Sequence, residues 1–395
     1  MCNLPPYLRF LTAIIAIVLV SYIAAILIVP PIVDEDYNRS TLLPPYEVSE
    51  NASKIYNSLP FVADLHCDAL LWKRDLMKRH DYGHIDIPRM IEANMALQAF
   101  TIVSKTPKNM NYDNNTGDTD NITTLYMAQG RPVGSWFSLS KRAIVQCEQL
   151  FDYAKDSDGS FRVITSTEQL NQYLKDRSKN KSITAGYLGV EGMQILESNL
   201  ANVDKMYDAG IRMMAPTHFF DNEMGGSAHG VSKEGLTEFG REVIKKMEEK
   251  SMIVDIAHAS PKMIDDILAI SSRPLIVSHT GVKGTCNNVR NLSDTHLAAI
   301  AGKGGLIGIG LFEAATCGTD AKSTARAIKY GVDLVGVEHI TLGSDYDGAV
   351  VAHFDVTGLP LLVDALLDEG FNEEDISKIM GGNIRNFLLK NLPEN

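Results

Sequence analysis

Eight short apolar runs, separated mostly by helix-like stretches, constrain the fold of this chain more than any other feature. They are Phe61–Leu65, Leu97–Val103, Ile183–Val190, Ile211–Pro216, Met252–Ala257, Leu275–Ser278, Gly305–Ile309 and Ile340–Gly343. Runs of this length read as buried strands. The stretches between them carry the helical period instead. From Thr237 to Lys250, for example, Phe239, Val243, Ile244 and Met247 share one face and charged residues take the other. Eight strands alternating with helices predict an α/β protein built as a (β/α)8 barrel.

Ahead of these runs lies a different kind of segment. Phe10 to Val29 carries no charge and only Thr12, Ser21 and Tyr22 as polar interruptions. That is close to the ~20 residues a helix needs to cross a bilayer. The apolar core of a secretory signal usually runs only ~7–15 residues, so an uncleaved single-pass anchor is expected over residues 1–33, with a cleaved signal as its rival. Pro30-Pro31 are expected to end that helix. Arg9 before it and Asp34-Glu35-Asp36 after it favour a cytoplasmic N-terminus, with the rest of the chain periplasmic or extracellular. Residues 34–54, with Pro44-Pro45, read as a linker, and 55–392 as the barrel domain. A net charge of −12 supplies no basic face, so no nucleic-acid partner is expected. Five cysteines define no disulfide framework. Cys2, cytoplasmic on this topology, is expected to be free. Cys286 and Cys317 either pair in an oxidising compartment or stay as two buried thiols.

Lys105 to Gly134 breaks the alternation. It is rich in Asn, Asp, Thr and Gly and too long for an ordinary connection. Following the second strand, it falls on the face where barrel strands end, either as a lid or as a solvated insertion.

The strand ends carry the chemistry. Phe61–Leu65 runs into His66-Cys67-Asp68, and Tyr187–Val190 runs into Glu191. His258 and His279 stand just past the fifth and sixth runs. Side chains at the carboxyl ends of parallel barrel strands converge on one mouth. Alternate strand residues share a side, so His66 and Asp68 both face that mouth while Cys67 points away. A carboxylate among apolar neighbours, as at Glu191, is expensive to bury unpaired. Its two oxygens can bridge two cations about 3.5–4 Å apart, with His258 and His279 completing the second ligand set. Each histidine alone reads more simply as a hydrogen-bonded residue at a strand end; five candidate ligands at four strand ends together read as a metal centre. Nitrogen and oxygen donors without thiolate suit zinc, with manganese or cobalt as substitutes. Water held by such cations has its pKa lowered towards ~7, so a metal-bridged hydroxide would attack a carbonyl or phosphoryl centre. The other histidines (His80, His84, His229, His296, His339, His353) fall in loops or on predicted helices and receive no role.

Several segments resemble the membrane (renal) dipeptidase family of binuclear zinc peptidases. They are Asp64-Leu65-His66-Cys67-Asp68, His84-Ile85-Asp86-Ile87-Pro88-Arg89, Gly189-Val190-Glu191-Gly192, Thr217-His218, Asp255-Ile256-Ala257-His258-Ala259-Ser260, Ser278-His279, Asn288-Val289-Arg290-Asn291 and Gly343-Ser344-Asp345-Tyr346-Asp347-Gly348. The resemblance implies a modified (β/α)8 barrel with two zinc ions per subunit, one on His66, Asp68 and Glu191, the other on Glu191, His258 and His279. It implies that His218 binds substrate by polarising the scissile carbonyl, that Arg290 holds the substrate's terminal carboxylate, and that Asp345 shuttles the proton to the leaving amine. Small dipeptides, L,L and also L,D, are the implied substrates, and a homodimer is an assembly open to it. Two features depart from the family pattern. Leu311-Phe312-Glu313 stands where a substrate-facing tyrosine is expected, and Phe387 to Asn395 offers no apolar tail for a lipid anchor, so the N-terminal helix is expected to tether the chain. Two alternatives stay open at this point. One is a binuclear hydrolase of another amide or lactone, such as an N-acyl amino acid or a β-lactam. The other is a tethered binding protein whose metal is only structural.

Overall fold

The computed structural model describes residues 5–395; the expectation for Cys2 lies outside the described residues. Nine strands form among them: β1 Val62–Cys67, β2 Met95–Val103, β3 Phe161–Val163, β4 Thr184–Glu191, β5 Ile211–Ala215, β6 Ile253–Val254, β7 Ile276–Thr280, β8 Leu306–Ile309 and β9 Ile340–Leu342. Every pairing between them is parallel. One sheet runs β1–β2–β4–β5–β6, with β3 off this path against the first half of β4, and a second runs β7–β8–β9. Isolated parallel bridges, Asp255 to Ile276 and Cys67 to Tyr346, join the two sheets at both edges. Eight strands therefore follow one another in a circuit, and each coincides with one of the eight apolar runs. β3 does not, because three residues with a central arginine make no apolar run.

Burial explains the order. Alternate residues of the strands divide between two clusters. Ala63, Leu65, Leu97, Ala99, Ala185 and Tyr187 join Met213, Ile253, Ile276 and Leu306 inside the circuit. Phe100, Ile102, Leu188, Val190, Met214 and Val254 pack outward under the helices. The helix Glu238–Glu249 shows how the sheath is made: Thr237 caps it by accepting from the Gly240 N–H, and Val243, Ile244 and Met247 are buried.

The N-terminal helix runs Pro6–Tyr37, so Pro30-Pro31 do not end it as expected. Prolines leave carbonyls of the preceding turn without a donor, but side-chain contacts fasten the turn that follows. The Asn38 side chain donates to Asp34 Oδ1 at 2.8 Å, and Tyr37 stacks on Trp72 at 6.2 Å between centroids. By length and composition this helix is able to cross a bilayer, and its most apolar window is not buried by the rest of the molecule. The segment expected as a linker is bound along the domain. Thr41 and Leu42 donate to the carbonyls of Ala352 and His353 at 2.8 and 2.9 Å, and the helix Glu50–Ser58 is tied through Ser49 Oγ to Asp364 at 2.8 Å.

Candidate metal centre

The carboxyl ends of β1, β4 and β7 and the turns after β5, β6 and β9 meet at one buried cluster. Glu191, the last residue of β4, sits at its centre. His258 Nε2 lies 2.9 Å and His279 Nε2 3.3 Å from Glu191 Oε1, and the two imidazole nitrogens are 3.0 Å apart. His66 Nε2 is 3.5 Å from Asp68 Oδ1, 3.7 Å from Glu191 Oε1 and 3.9 Å from Asp345 Oδ1. His218 Nε2 approaches the other oxygen, Glu191 Oε2, at 3.0 Å. Three groupings bring their donor atoms within 4.8 Å of one another: His66–Glu191–His279, Glu191–His218–His258 and His66–Asp68–Asp345. All seven residues singled out around the metal are thus brought together, with Glu191 and His66 each shared between two groupings. His218 stands among the candidate donors as closely as the histidines expected to ligate.

These groups fit cations better than they fit each other. Glu191 Oε1 and His66 Nε2 are buried without a well-directed hydrogen bond, although nitrogens and oxygens crowd them. Donor separations of 2.9, 3.0 and 3.3 Å around Glu191 Oε1 run from a little short of to equal to the edge of a tetrahedron with metal–ligand bonds of ~2.0–2.1 Å, about 3.3 Å. Ser278 Oγ lies 3.0 Å from His66 Nδ1 and 3.0 Å from His279 Nδ1. The two lone pairs of that hydroxyl can accept from both rings, which leaves both Nε2 lone pairs for a cation. Thr101 Oγ1 holds Asp68 Oδ1 at 2.6 Å. Gly343 lets β9 pass this point, since a Cβ there would lie 1.9 Å from the Ser278 carbonyl oxygen.

The electrostatics agree. Burial holds the imidazoles of His218, His258 and His279 well below the usual histidine range, with Arg290 and neighbouring histidines adding to it, so they are neutral donors. Burial would also lower His66, but Asp68, Glu191 and Asp345 carry it up to about 10. Burial raises Glu191 well above the carboxylate range, with Asp68 next in effect, and pushes Asp345 up to about 7. In the protein alone the cluster holds protons where cations would sit.

Arg290 is buried beside the cluster and its Nη2 donates to the His279 carbonyl at 2.7 Å. A cavity of about 770 Å³ opens beside Asp68 and His218 of the cluster, lined also by Phe219, by Met110 of the 105–134 insertion, and by Val33 and Tyr37 of the N-terminal helix. The insertion therefore lies across the mouth and is not simply solvated. Its Tyr112 packs against Phe219 and His229 at 5.8 and 5.6 Å between ring centroids, while Phe312, where a tyrosine is expected, is buried. His229 is a residue that sequence reasoning missed. Buried, it stacks on Phe219 at 4.6 Å, lies 5.1 Å from His258 between ring centroids, and meets the Tyr112 carbonyl through Nδ1 at 2.6 Å. Ser278 and Thr101 were also missed, and no local signal marks either. Cys286 and Cys317 are joined as a disulfide.

A family model described as membrane dipeptidase (peptidase family M19) matches residues 49–389. The chain belongs to the membrane dipeptidase family. It is a metallopeptidase, a hydrolase, which sets aside the tethered binding protein. Dipeptidase tcpJ of Claviceps purpurea (strain 20.1) is 26% identical over 311 residues, covering 76% of this chain and 68% of that protein. Dipeptidase 3 of Mus musculus is 28% identical over 237 residues, covering 56% of this chain and 46% of its own length, so the match spans less than half of that relative. A metallopeptidase from Rhodobacter sphaeroides, liganded with a phosphinate mimic of the dipeptide L-Ala-D-Ala, superposes with a TM-score of 0.70 at 23% identity, over 84% of this chain and 99% of that one. The probable dipeptidase PvdM from Pseudomonas aeruginosa gives 0.72 at 16% identity, over 87% and 98%. These two share the α/β fold with its parallel sheet. Metal-dependent hydrolysis of dipeptides is the general activity the family supports.

Proposed function

We propose that this family member is a membrane-anchored, exported zinc dipeptidase on a (β/α)8 barrel. The observation that carries the reading is the convergence of Glu191 with four imidazoles and two further carboxylates in one buried cluster beside Arg290. Asp68, Glu191 and Asp345 bring three carboxyl groups to a cluster with the single guanidinium of Arg290, so that cations displacing its protons would meet an excess of negative charge. His66, Asp68 and Glu191 would hold one zinc, and Glu191, His258 and His279 the other. Bound there, the pair would supply Lewis acidity and an acidified water.

The chain's own residues do the rest. Arg290 pairs with the terminal carboxylate of the substrate, for which a planar guanidinium is well shaped. That fixes the peptide bond over the cluster. His218, neutral and donating, steadies the oxygen of the scissile carbonyl as charge develops on it. Asp345 accepts a proton from the attacking water and passes it to the leaving amine, a task suited to a carboxyl group poised near neutrality. The Rhodobacter relative's ligand, a mimic of an L,D dipeptide, supports including a D-residue in the second position. Arg290 favours substrates with a free carboxylate over lactones or other amides lacking one. The Cys286–Cys317 disulfide and the charge bias around the N-terminal helix support an extracytoplasmic domain.

The test uses the full chain in detergent, purified without added metal. Two zinc equivalents per chain, with cleavage of L,L and L,D dipeptides that a chelator abolishes and zinc restores, are expected. Two metals without dipeptide cleavage would retain the hydrolase and refute the substrate.

A further inference from the structure

The turn after β9 carries Asp345, and its backbone is unusual. Asp345, Asp347 and Ala349 have φ of 65°, 59° and 58°, the left-handed region that side-chain-bearing residues rarely adopt. Something must hold such a turn, and much of what holds it comes from the end of the N-terminal helix. Arg74, fully buried, forms an ion pair with Asp347 on one side and meets Asp34 Oδ1 of that helix at 3.0 Å on the other. Asn38, the residue that caps the helix, accepts from the Ala349 N–H through Oδ1 at 3.0 Å and donates to Asp34 Oδ1 at 2.8 Å. Trp72 stacks on Tyr37 and donates from Nε1 to the Asp347 carbonyl at 2.7 Å. His84 completes the hold: its N–H donates to Asp347 Oδ1 at 2.7 Å, its Nδ1 accepts from the Asp347 N–H at 2.9 Å, and its Nε2 lies 2.9 Å from the Arg39 carbonyl. Asp34 and Asn38 are both buried, although they follow directly on an apolar segment that the domain leaves uncovered.

We propose that the end of the N-terminal helix is a positioning element of the active site. Asp34, acting through Arg74 and Asp347, and Asn38, acting through Ala349, hold the 345–349 turn so that the Asp345 carboxyl faces the metal cluster. The anchor is then a working part of the catalytic domain and not only a tether. A plain tether needs no buried carboxylate, and a buried ion network that reaches a functional turn is costly unless each charge is paired. Here Asp34 and Asp347 share the one guanidinium of Arg74, Asp34 Oδ2 and Arg74 Nε are buried without a partner, and this costly arrangement ends on the turn that bears the proton-transferring group. The inference rests on that role for Asp345.

The experiment compares the full chain with its Asp34→Asn, Asp34→Glu and Asn38→Ala variants, in the same detergent and loaded with zinc. Asp34→Asn is expected to lower kcat for a dipeptide by about 10- to 100-fold, the usual range for losing a partner that orients a functional group. KM and bound zinc are expected to match the parent, and Asp34→Glu to recover part of kcat. Asn38→Ala gives the same split through the Ala349 contact and serves if Asp34→Asn does not fold. A fall in zinc content or a rise in KM that tracks the loss of kcat would mean a merely structural role and overturn the proposal. Unchanged kcat in an active parent would overturn it too, leaving the dipeptidase reading intact. A parent that holds zinc but cleaves no dipeptide would overturn both.

Discussion

Replacing Arg290 by alanine tests the substrate assignment most directly. The guanidinium is buried, so a substrate carboxylate meeting it would exchange water for a desolvated, charge-assisted pair. Hydrogen bonds to charged groups contribute about 1.5–3 kcal/mol net. At about 1.36 kcal/mol per tenfold, their loss corresponds to a rise in KM of about 10- to 150-fold. Burial places the expectation in the upper part of that range. The contact is to a part of the substrate that does not react, so it serves ground state and transition state alike and kcat is expected to change little. Removing Arg290 also takes a positive charge from beside Asp345 and Glu191, which bears on the metal. A second substrate separates the two effects. The parent is expected to prefer a dipeptide over the corresponding dipeptide amide by the same factor, and the variant to treat the two alike, as in a double-mutant cycle. Steady-state kinetics on zinc-loaded parent and variant give all four values. A variant that keeps the preference for the free acid, or an unchanged KM, would refute the assignment and favour the substrate class without a carboxylate.

Glu191→Gln removes the charge shared between two donor groupings, and elemental analysis is expected to show both metals lost with activity; full metal content would refute the bridging role. Ser278→Ala frees both Nδ1 atoms and is expected to weaken zinc binding about 10- to 100-fold in a competitive chelator titration, with native-like affinity as the refuting result. Zinc added to metal-free protein at pH 7 is expected to release protons. His66, carried up to about 10, still holds a proton there and must give it up for a cation to bind. Affinity should therefore rise by about tenfold per pH unit for each proton displaced, measured as acidification of a weakly buffered solution, and proton uptake would contradict it.

The strands of the two parallel sheets were legible because burial on both faces leaves a mark that no other element shares: an apolar run ending in a turn. The clustered side chains were legible because a carboxylate or imidazole at the end of such a run needs a reason to be there. β3 carried neither mark, since Arg162 breaks its three residues and its place is set by pairing with the first half of β4. Ser278, Thr101 and His229 are polar residues whose roles exist only once the sheets close. The end of the N-terminal helix was misjudged for a related reason. Two prolines and three acidic residues read locally as an exit into water, but Arg74 and Ala349, distant in sequence, draw Asp34 and Asn38 inward.

Strain shows where local rules and function part company. His258 and Asp345 both adopt positive φ, at 60° and 65°, where a residue with a side chain costs about 1–3 kcal/mol. Strands that simply presented ligands at their ends would not need this. At His258 the strain is held by Ala228, whose N–H donates to its carbonyl at 2.8 Å, and by the Thr217 hydroxyl at 3.3 Å. At Asp345 it is held through Asp347, and behind that through Arg74 and the helix end. Beside it, Asp64 accepts from the Ser344 N–H and hydroxyl at 2.6 and 2.8 Å and so fixes the residue just before Asp345. The strand ends bring the clustered side chains near, and hydrogen bonds from the surrounding turns hold the chain at His258 and just before Asp345, both of which take positive φ.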